Sequence, residues 1–369
     1  MTGRRRVWHR ECKAKCPRRP ASPPVVSPPP RTTRAAHPQS EFLRAFVLRL
    51  RETGWPVTVV TPATNQSFVS KAVDPAHAEL ELRRGASGED EDGGSPSLGP
   101  PGSVWTVSGF PASCVSVALH HPVALGGPEP FDLVVSGPNL GHNAGAASVL
   151  SSGTVGAAME GALAGVRAVA LSFPYFTRWS SWEADHVDAA AAIAVGVVGR
   201  LWVEWEETVG DESNAVGGRG GAPPPALWNV NVPLGAGVRD VTALTGGAAL
   251  AEGDPRAAWW ERGHGGPLGL APVPVVRTRV CPDSGYRRLY RPAGVDDDVA
   301  HADPGGGAGP PPEGEGLRLV WSPRGLRVFA EDGAAEGTDV WAIRSGAVSV
   351  TGLRAGFEHS QGGCGRGAG

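Results

Sequence analysis

The 369 residues carry 34 Lys and Arg against 37 Asp and Glu, a formal net charge of −3, which argues against a nucleic-acid duplex as the main partner. No apolar run approaches the roughly 18 residues of a membrane helix, so no membrane span is expected. Cys12, Cys16, Cys114, Cys281 and Cys364 are odd in number and scattered, so they frame no disulfide scaffold. The length suits one large domain with insertions, or two.

Residues 1–39 differ from the rest. Arg4, Arg5, Arg6, Arg10, Lys13, Lys15, Arg18 and Arg19 face only Glu11, and prolines crowd the stretch from Pro20 to Pro30. Such a segment buries too little apolar surface to order itself, so a disordered basic tail is expected. A mitochondrial presequence is the alternative, although the prolines spoil an amphipathic helix, and no secretory h-region is present. Cys12 and Cys16 lack the second ligand pair of a zinc finger.

The folded region is expected to begin at Ser40. Phe42, Leu43, Phe46, Val47 and Leu50 make one helical face, with Ser40 as cap and Gly54 at the C′ position. Val57 to Val60 reads as a strand leading into TPATNQSFVSKA. Residues 85–103 form an acidic, Gly- and Pro-rich insertion. Val104 to Val107 is extended, and Pro111 opens a helix whose apolar side includes Val115, Val117 and Leu119.

Phe131 to Glu160, FDLVVSGPNLGHNAGAASVLSSGTVGAAME, organises the chain. Leu133, Val134 and Val135 read as a strand buried on both faces, ended by Gly137 and Pro138. Asn139, Gly141, Asn143 and Gly145 then form a loop that a ligand can approach closely. Ser151, Ser152 and Thr154 mark a helix start, with Val155, Ala158, Met159, Ala162 and Leu163 at helical spacing. A helix N-terminus suits an anion such as phosphate, and asparagine oxygens at a strand end suit a hard cation. An ordinary βα turn, with bending glycines and capping serines, is the plainer interpretation of such a loop. A dinucleotide site is disfavoured, because G-x-G-x-x-G is absent and no acid ends the next strand, VRAVALSF.

Downstream, 166–173 is a buried strand and 183–203 carries a helical pattern. Residues 207–225 are a second glycine-rich insertion, LWNVNVP at 227–233 is a strand, and 301–316 is a third low-complexity loop. Strands alternating with helices favour right-handed βαβ units and a parallel sheet.

The order of these residues resembles the SurE-like phosphatase/nucleotidase family. Ser136, Gly137, Asn139, Gly141 and Asn143 match its SG-x-N-x-G-x-N, and Ser152 to Gly161 match SGTVGAAMEG without a gap. GFPASCV at Gly109, NVNVP at 229–233 and TDVWAIRSGAVSVTGL at 338–353 resemble further elements, with Phe110 in place of threonine and Gly352 in place of proline. The resemblance spans about 40–355, with 356–369 a flexible tail. It implies an α/β, Rossmann-like three-layer sandwich with a mostly parallel sheet and C-terminal hairpin extensions. Arms near 275–290 would serve homo-oligomers.

It also implies a metal-dependent hydrolase of phosphate monoesters or nucleotides, a 5′/3′-nucleotidase or acid phosphatase, in the cytoplasm unless the basic N-terminus targets an organelle. Ser67 and Asn139 would complete the shell of Mg²⁺ or Mn²⁺. Asn143, Ser152, Gly153 and Thr154 would hold the substrate phosphate. No general base is named by the residues present.

One departure from the pattern matters. Family members open with a strand and an N-D-D-G turn, whose aspartates are the principal metal ligands. Here the corresponding place reads VVSPPPRTTRAAHPQS, and no Asp precedes Asp74. Activity is therefore expected to be impaired, and a catalytically inactive nucleotide- or phosphate-binding protein is the alternative. A truncated or mispredicted first exon, or a paralogue that has lost catalysis, would explain the departure. The abrupt change of composition at about residue 39 favours the first.

Overall fold

Phe42, Leu43, Phe46, Val47 and Leu50 recur every three or four residues, and the helix they predict, α1 (Glu41–Glu52), buries all five. Gly54 follows it at φ 84°, the left-handed conformation of a helix-ending glycine. The computed structural model describes residues 25–27, 41–64, 66–73, 79–84, 104–125, 131–175, 184–212, 226–234, 273–282, 289–294, 316–321 and 334–356. Ser40, the expected loop at 85–103 and residues 301–315 of the one expected at 301–316 lie outside the described residues.

The strands are β1 (Val25–Ser27), β2 (Thr58–Pro62), β3 (Leu82–Arg84), β4 (Val104–Val107), β5 (Leu133–Leu140), β6 (Arg167–Phe173) and β7 (Leu227–Asn231). They continue with β8 (Val275–Thr278), β9 (Tyr290–Pro292), β10 (Leu319–Trp321) and β11 (Val348–Leu353). The other helices among the described residues are α2 (Pro111–His120), α3 (Ala146–Ser151), α4 (Gly153–Leu163), α5 (Ala184–Glu212) and α6 (Asp339–Arg344). Among the described residues, nine strands form one sheet in the order β3-β4-β2-β1-β5-β6-β7-β11-β8, and β9 pairs with β10 in a separate ribbon. Among the described residues of the large sheet, only β3–β4 and β7–β11 run antiparallel.

Alternation along the strands divides the core into two layers. Leu133 and Val135 of β5, with Val169, Leu171 and Phe173 of β6, face α1 and α5. Val134, Ala168 and Ala170 face the opposite way, toward α2 and α4, where Val115, Val155 and Ala158 cover them. The protein is thus an α/β, Rossmann-like three-layer sandwich. Across its first face, Arg49 of α1 donates from Nε to Asp188 Oδ1 of α5 at 2.7 Å.

Several expectations are corrected. The segment 1–39 does not wholly lack structure: Val25–Ser27 forms β1, paired in parallel with β2 (Val25↔Thr58) and with β5 (Val25↔Val134). Two β-branched residues there occupy a gap whose flanking N–H and C=O groups would otherwise stay unpaired. The helix read over 183–203 continues to Glu212, so 207–212 belongs to α5 and not to a loop. In α2 the inner face is Cys114, Val115 and Ala118, while Val117 and Leu119 are only partly buried. Val275 does not begin a hairpin arm with Tyr290: β8 joins the large sheet beside β11, and Tyr290 pairs with Trp321.

Strand β5 also continues through Gly137 and Pro138, which do not end it. Pairing with β6 shifts register between Ser136 and Asn139. Gly137 sits at φ 125°, and a Cβ there would lie 2.2 Å from the Leu171 carbonyl oxygen. Only glycine allows β6 to approach so closely, so the irregularity re-aims Asn139 without breaking the strand.

Candidate functional site

The segment after β2 is built onto the start of α4. Ala63 N–H donates to the Val107 carbonyl at 2.8 Å, and Gln66 Nε2 donates to Thr64 Oγ1 at 2.9 Å. Ser67 follows, and then Phe68 and Ser70 take left-handed backbone angles, φ 56° and 49°. Two non-glycine residues held there in three positions mark a segment constrained by its surroundings. The constraint is visible. Ser70 N–H donates to the Ser151 carbonyl at 3.0 Å, and Lys71 Nζ lies 2.5 Å from Glu160 Oε2 of α4. A Cβ on Gly156 would lie 2.2 Å from the Ser70 carbonyl oxygen, and one on Gly153 would lie 2.9 Å from Val69 Cγ2.

On the other side stands the end of β5. Asn139 is partly buried and pairs in register with Ser172 of β6. Gly141 N–H donates to the Phe173 carbonyl at 3.0 Å. Ser152 caps α4: its Oγ accepts from Val155 N–H at 3.1 Å, and its carbonyl accepts from Gly156 N–H at 2.9 Å. Gly153 and Thr154 are buried. The short helix α3 between β5 and α4 had no sequence signal separate from the loop.

Ser67, Asn139 and the Ser152–Thr154 helix start therefore share one edge, at the carboxyl ends of β2, β1 and β5. Open α/β sheets bind ligands at this edge.

Asn143 lies deeper and acts as a junction. Its N–H donates to Asn231 Oδ1 at 2.9 Å, its Nδ2 to Ser172 Oγ at 2.7 Å, and its carbonyl accepts from Asn229 Nδ2 at 2.7 Å. Asn231 Nδ2 continues to Ser349 Oγ at 3.3 Å. This buried network of Asn143, Ser172, Asn229, Asn231 and Ser349 fixes the loop after β5 against β6, β7 and β11. Sequence reasoning missed it, although the alternation Asn-Val-Asn-Val in β7 puts both asparagines on one face.

Next to Asn143, His142 Nδ1 is 3.5 Å from Ser148 Oγ, and burial pushes its pKa down to about 4. The imidazole stays neutral near pH 7. A second clamp is Asp339. Its Oδ2 accepts from Gly145 N–H at 2.9 Å, and its Oδ1 accepts from Cys281 and Val340 N–H at 2.8 Å each. Burial pushes this carboxyl up against the downward pull of those donors. Asp339 is a structural partner that ties three backbone donors together.

Ser67 and Asn139 offer neutral oxygens. Among the described residues, no three His, Cys, Asp or Glu gather where they could hold a metal ion. Mg²⁺ and Mn²⁺ need anionic oxygen ligands, so the donors described here do not fit either ion. No helix among the described residues is long and apolar enough to cross a membrane.

The strand order and the helices on both faces define a doubly wound α/β domain. A family model described as Survival protein SurE matches residues 37–249, more than half of the chain, and the chain belongs to that phosphatase/nucleotidase family. The 5′-nucleotidase SurE of Rhodopirellula baltica is 38% identical over 197 residues, covering 53% of this chain and 61% of that protein. The 5′-nucleotidase SurE of Sorangium cellulosum is 37% identical over 179 residues, 48% of this chain and 55% of that protein. A probable tubulin–tyrosine ligase, PBY1 of Saccharomyces cerevisiae, is 29% identical over 231 residues, 56% of this chain and 28% of that protein. The chain thus spans less than two thirds of these relatives' lengths. The crystal structure of the SurE protein from Aquifex aeolicus superposes with a TM-score of 0.51 at 21% identity, covering 91% of this chain and 94% of the other, which shows the shared fold.

Proposed function

We propose that this chain binds phosphate monoesters, nucleoside monophosphates among them, at the carboxyl edge between Ser67, Asn139 and the start of α4, as a phosphoric monoester hydrolase of low turnover. The observation that carries this reading is the anchoring of the Ser67 segment onto α4, through Ser70 N–H to the Ser151 carbonyl and Lys71 to Glu160. It supports one preassembled cradle beside Asn139 within a family whose relatives include 5′-nucleotidases. In the proposal the helix start meets the phosphate with backbone N–H groups and the positive end of its dipole. Asn139 donates its amide N–H to a phosphate oxygen, and Asn143 acts through the loop it anchors.

No hydrolytic step is routed through Mg²⁺ or Mn²⁺, because the described donors do not fit them. A second reading, a non-catalytic nucleotide- or phosphate-binding protein of the same fold, is favoured by that same neutral donor set.

Asn139→Asp tests the site with little change of shape. A carboxylate beside the phosphate should weaken AMP binding roughly tenfold or more in a chelator-treated titration, by like-charge repulsion. Unchanged affinity would remove Asn139 from the site. No AMP binding by the unaltered chain would sink the proposal.

A further inference from the structure

We infer that Asn229 and Asn231 of β7 are positioning residues of the proposed phosphate-monoester site, acting on Asn139 through the main chain of Asn143. The inference rests on that proposed site and names what holds it in shape. Along β7 the two asparagines alternate with Val230, which packs in the layer of α1 and α5. Their side chains therefore lie on the opposite face, with Leu227, under α2 and α4. Both are fully buried.

On that face they give a loop what a neighbouring strand gives a strand. Asn231 Oδ1 accepts from the Asn143 N–H at 2.9 Å, and Asn229 Nδ2 donates to the Asn143 carbonyl at 2.7 Å. Both main-chain polar groups of one loop residue are thus held by two carboxamides of β7. Two residues earlier, Gly141 adopts φ 128° and donates its N–H to the Phe173 carbonyl at 3.0 Å. A Cβ at Gly141 would lie 3.5 Å from Asn139 Nδ2, so the Asn139 carboxamide lies beside the Gly141 main chain. Release of Asn143 therefore loosens the backbone against which Asn139 rests.

A second observation separates positioning from packing. Among the described residues, Asn229 Oδ1 is buried without a hydrogen-bond partner. Such an oxygen is unfavourable, and an aliphatic side chain would fill the place without it. What an aliphatic side chain cannot do is donate to the Asn143 carbonyl. That one hydrogen bond accounts for the carboxamide. The network then runs on to β11, where Ser349 Oγ accepts from Asn231 Nδ2 at 3.3 Å.

The test titrates AMP against the full chain and Asn229→Asp at about pH 5.5 and about pH 8.5, with urea unfolding at each pH. Burial raises the pKa of the introduced carboxyl. At the lower pH it is neutral, and its O–H can donate to the Asn143 carbonyl as Nδ2 did. At the higher pH it is ionised, has no donor and repels that carbonyl. Affinity relative to the unaltered chain should therefore be kept within about twofold at the lower pH and fall roughly tenfold or more at the higher. His142 and Asp339, the titratable groups tied to this loop, are present in both proteins, so the ratio removes their effect. If the variant at the higher pH is less stable while its folded fraction binds AMP like the unaltered chain, the asparagines only pack and the inference is wrong. Should Asn229→Asp not fold, Ser349→Ala carries the test from the far end of the network. It should weaken AMP a few-fold, Ser349→Thr should restore it, and unchanged affinity in Ser349→Ala would overturn the inference while leaving the site standing. No AMP binding by the unaltered chain would overturn the site and the positioning role together.

Discussion

Asp339→Ala is expected to destabilise the fold by roughly 3–5 kcal/mol, because one carboxylate satisfies three backbone donors and each buried donor left unpaired costs about 1–3 kcal/mol. Those donors belong to Gly145, Cys281 and Val340, so the loss releases the start of α3, the chain after β8 and the start of α6 together. Cys281 also accepts from Ala146 N–H through its carbonyl at 2.9 Å, which makes the junction cooperative. Asp339→Asn should recover only part of the stability. Its amide oxygen can replace one carboxylate oxygen, whereas its NH₂ would face a second N–H donor. Urea unfolding followed by far-UV circular dichroism measures both variants. Equal stability of Asp339→Ala and the unaltered chain would show that the clamp is not needed.

Gly156→Ala is expected to disturb the candidate site directly. Alanine is favoured over glycine within a helix by about 1 kcal/mol. The added methyl, however, would fall 2.2 Å from the Ser70 carbonyl oxygen, 2.4 Å from its carbon and 2.6 Å from the Lys71 nitrogen, all backbone atoms. Overpacking of this kind costs about 3 kcal/mol, so the clash outweighs the propensity and a net loss near 2 kcal/mol remains. Because the segment pushed away carries Ser67 and Phe68, AMP affinity should fall as well. Gly199→Ala in α5 is the control: nothing lies within 4 Å of its Cβ position. It should stabilise by roughly 0.5–1 kcal/mol. If both alanines stabilise alike, the close approach of Ser70 to α4 is wrong.

What was legible in the sequence was what local pattern controls. The period of Phe42, Leu43, Phe46, Val47 and Leu50 gave α1, and Ser152 ahead of an alanine-rich run gave the cap of α4. The SGTVGAAMEG and SG-x-N-x-G-x-N motifs carried the family resemblance, which the match over residues 37–249 bears out. Long-range pairing was not legible. Nothing local tells Val25–Ser27, set among prolines, that it fills the gap between β2 and β5. Nothing local tells Val275 to seek β11 in place of Tyr290. The end of β5 was misjudged because Gly137 and Pro138 read as a stop, whereas the left-handed glycine absorbs a register shift against Leu171 and lets the strand go on. Asn143 looked like a ligand-binding side chain because its partners, Ser172 and Asn231, stand on other strands.

The proposed phosphate-monoester site at the carboxyl edge is limited in its chemistry by its neutral donors. In sequence, Pro28 and Pro29 follow Val25–Ser27 directly. The most direct measurement is AMP hydrolysis with and without Mn²⁺, run side by side on the unaltered chain and on a Pro28→Asp, Pro29→Asp variant. Losing the charge stabilisation of a catalytic cation removes several kcal/mol, and about 1.4 kcal/mol is a factor of ten in rate. The unaltered chain should therefore bind AMP while turning it over orders of magnitude more slowly than a metal-loaded phosphatase, with no response to Mn²⁺, and the variant should gain Mn²⁺-dependent turnover. Fast Mn²⁺-dependent hydrolysis by the unaltered chain would contradict the account.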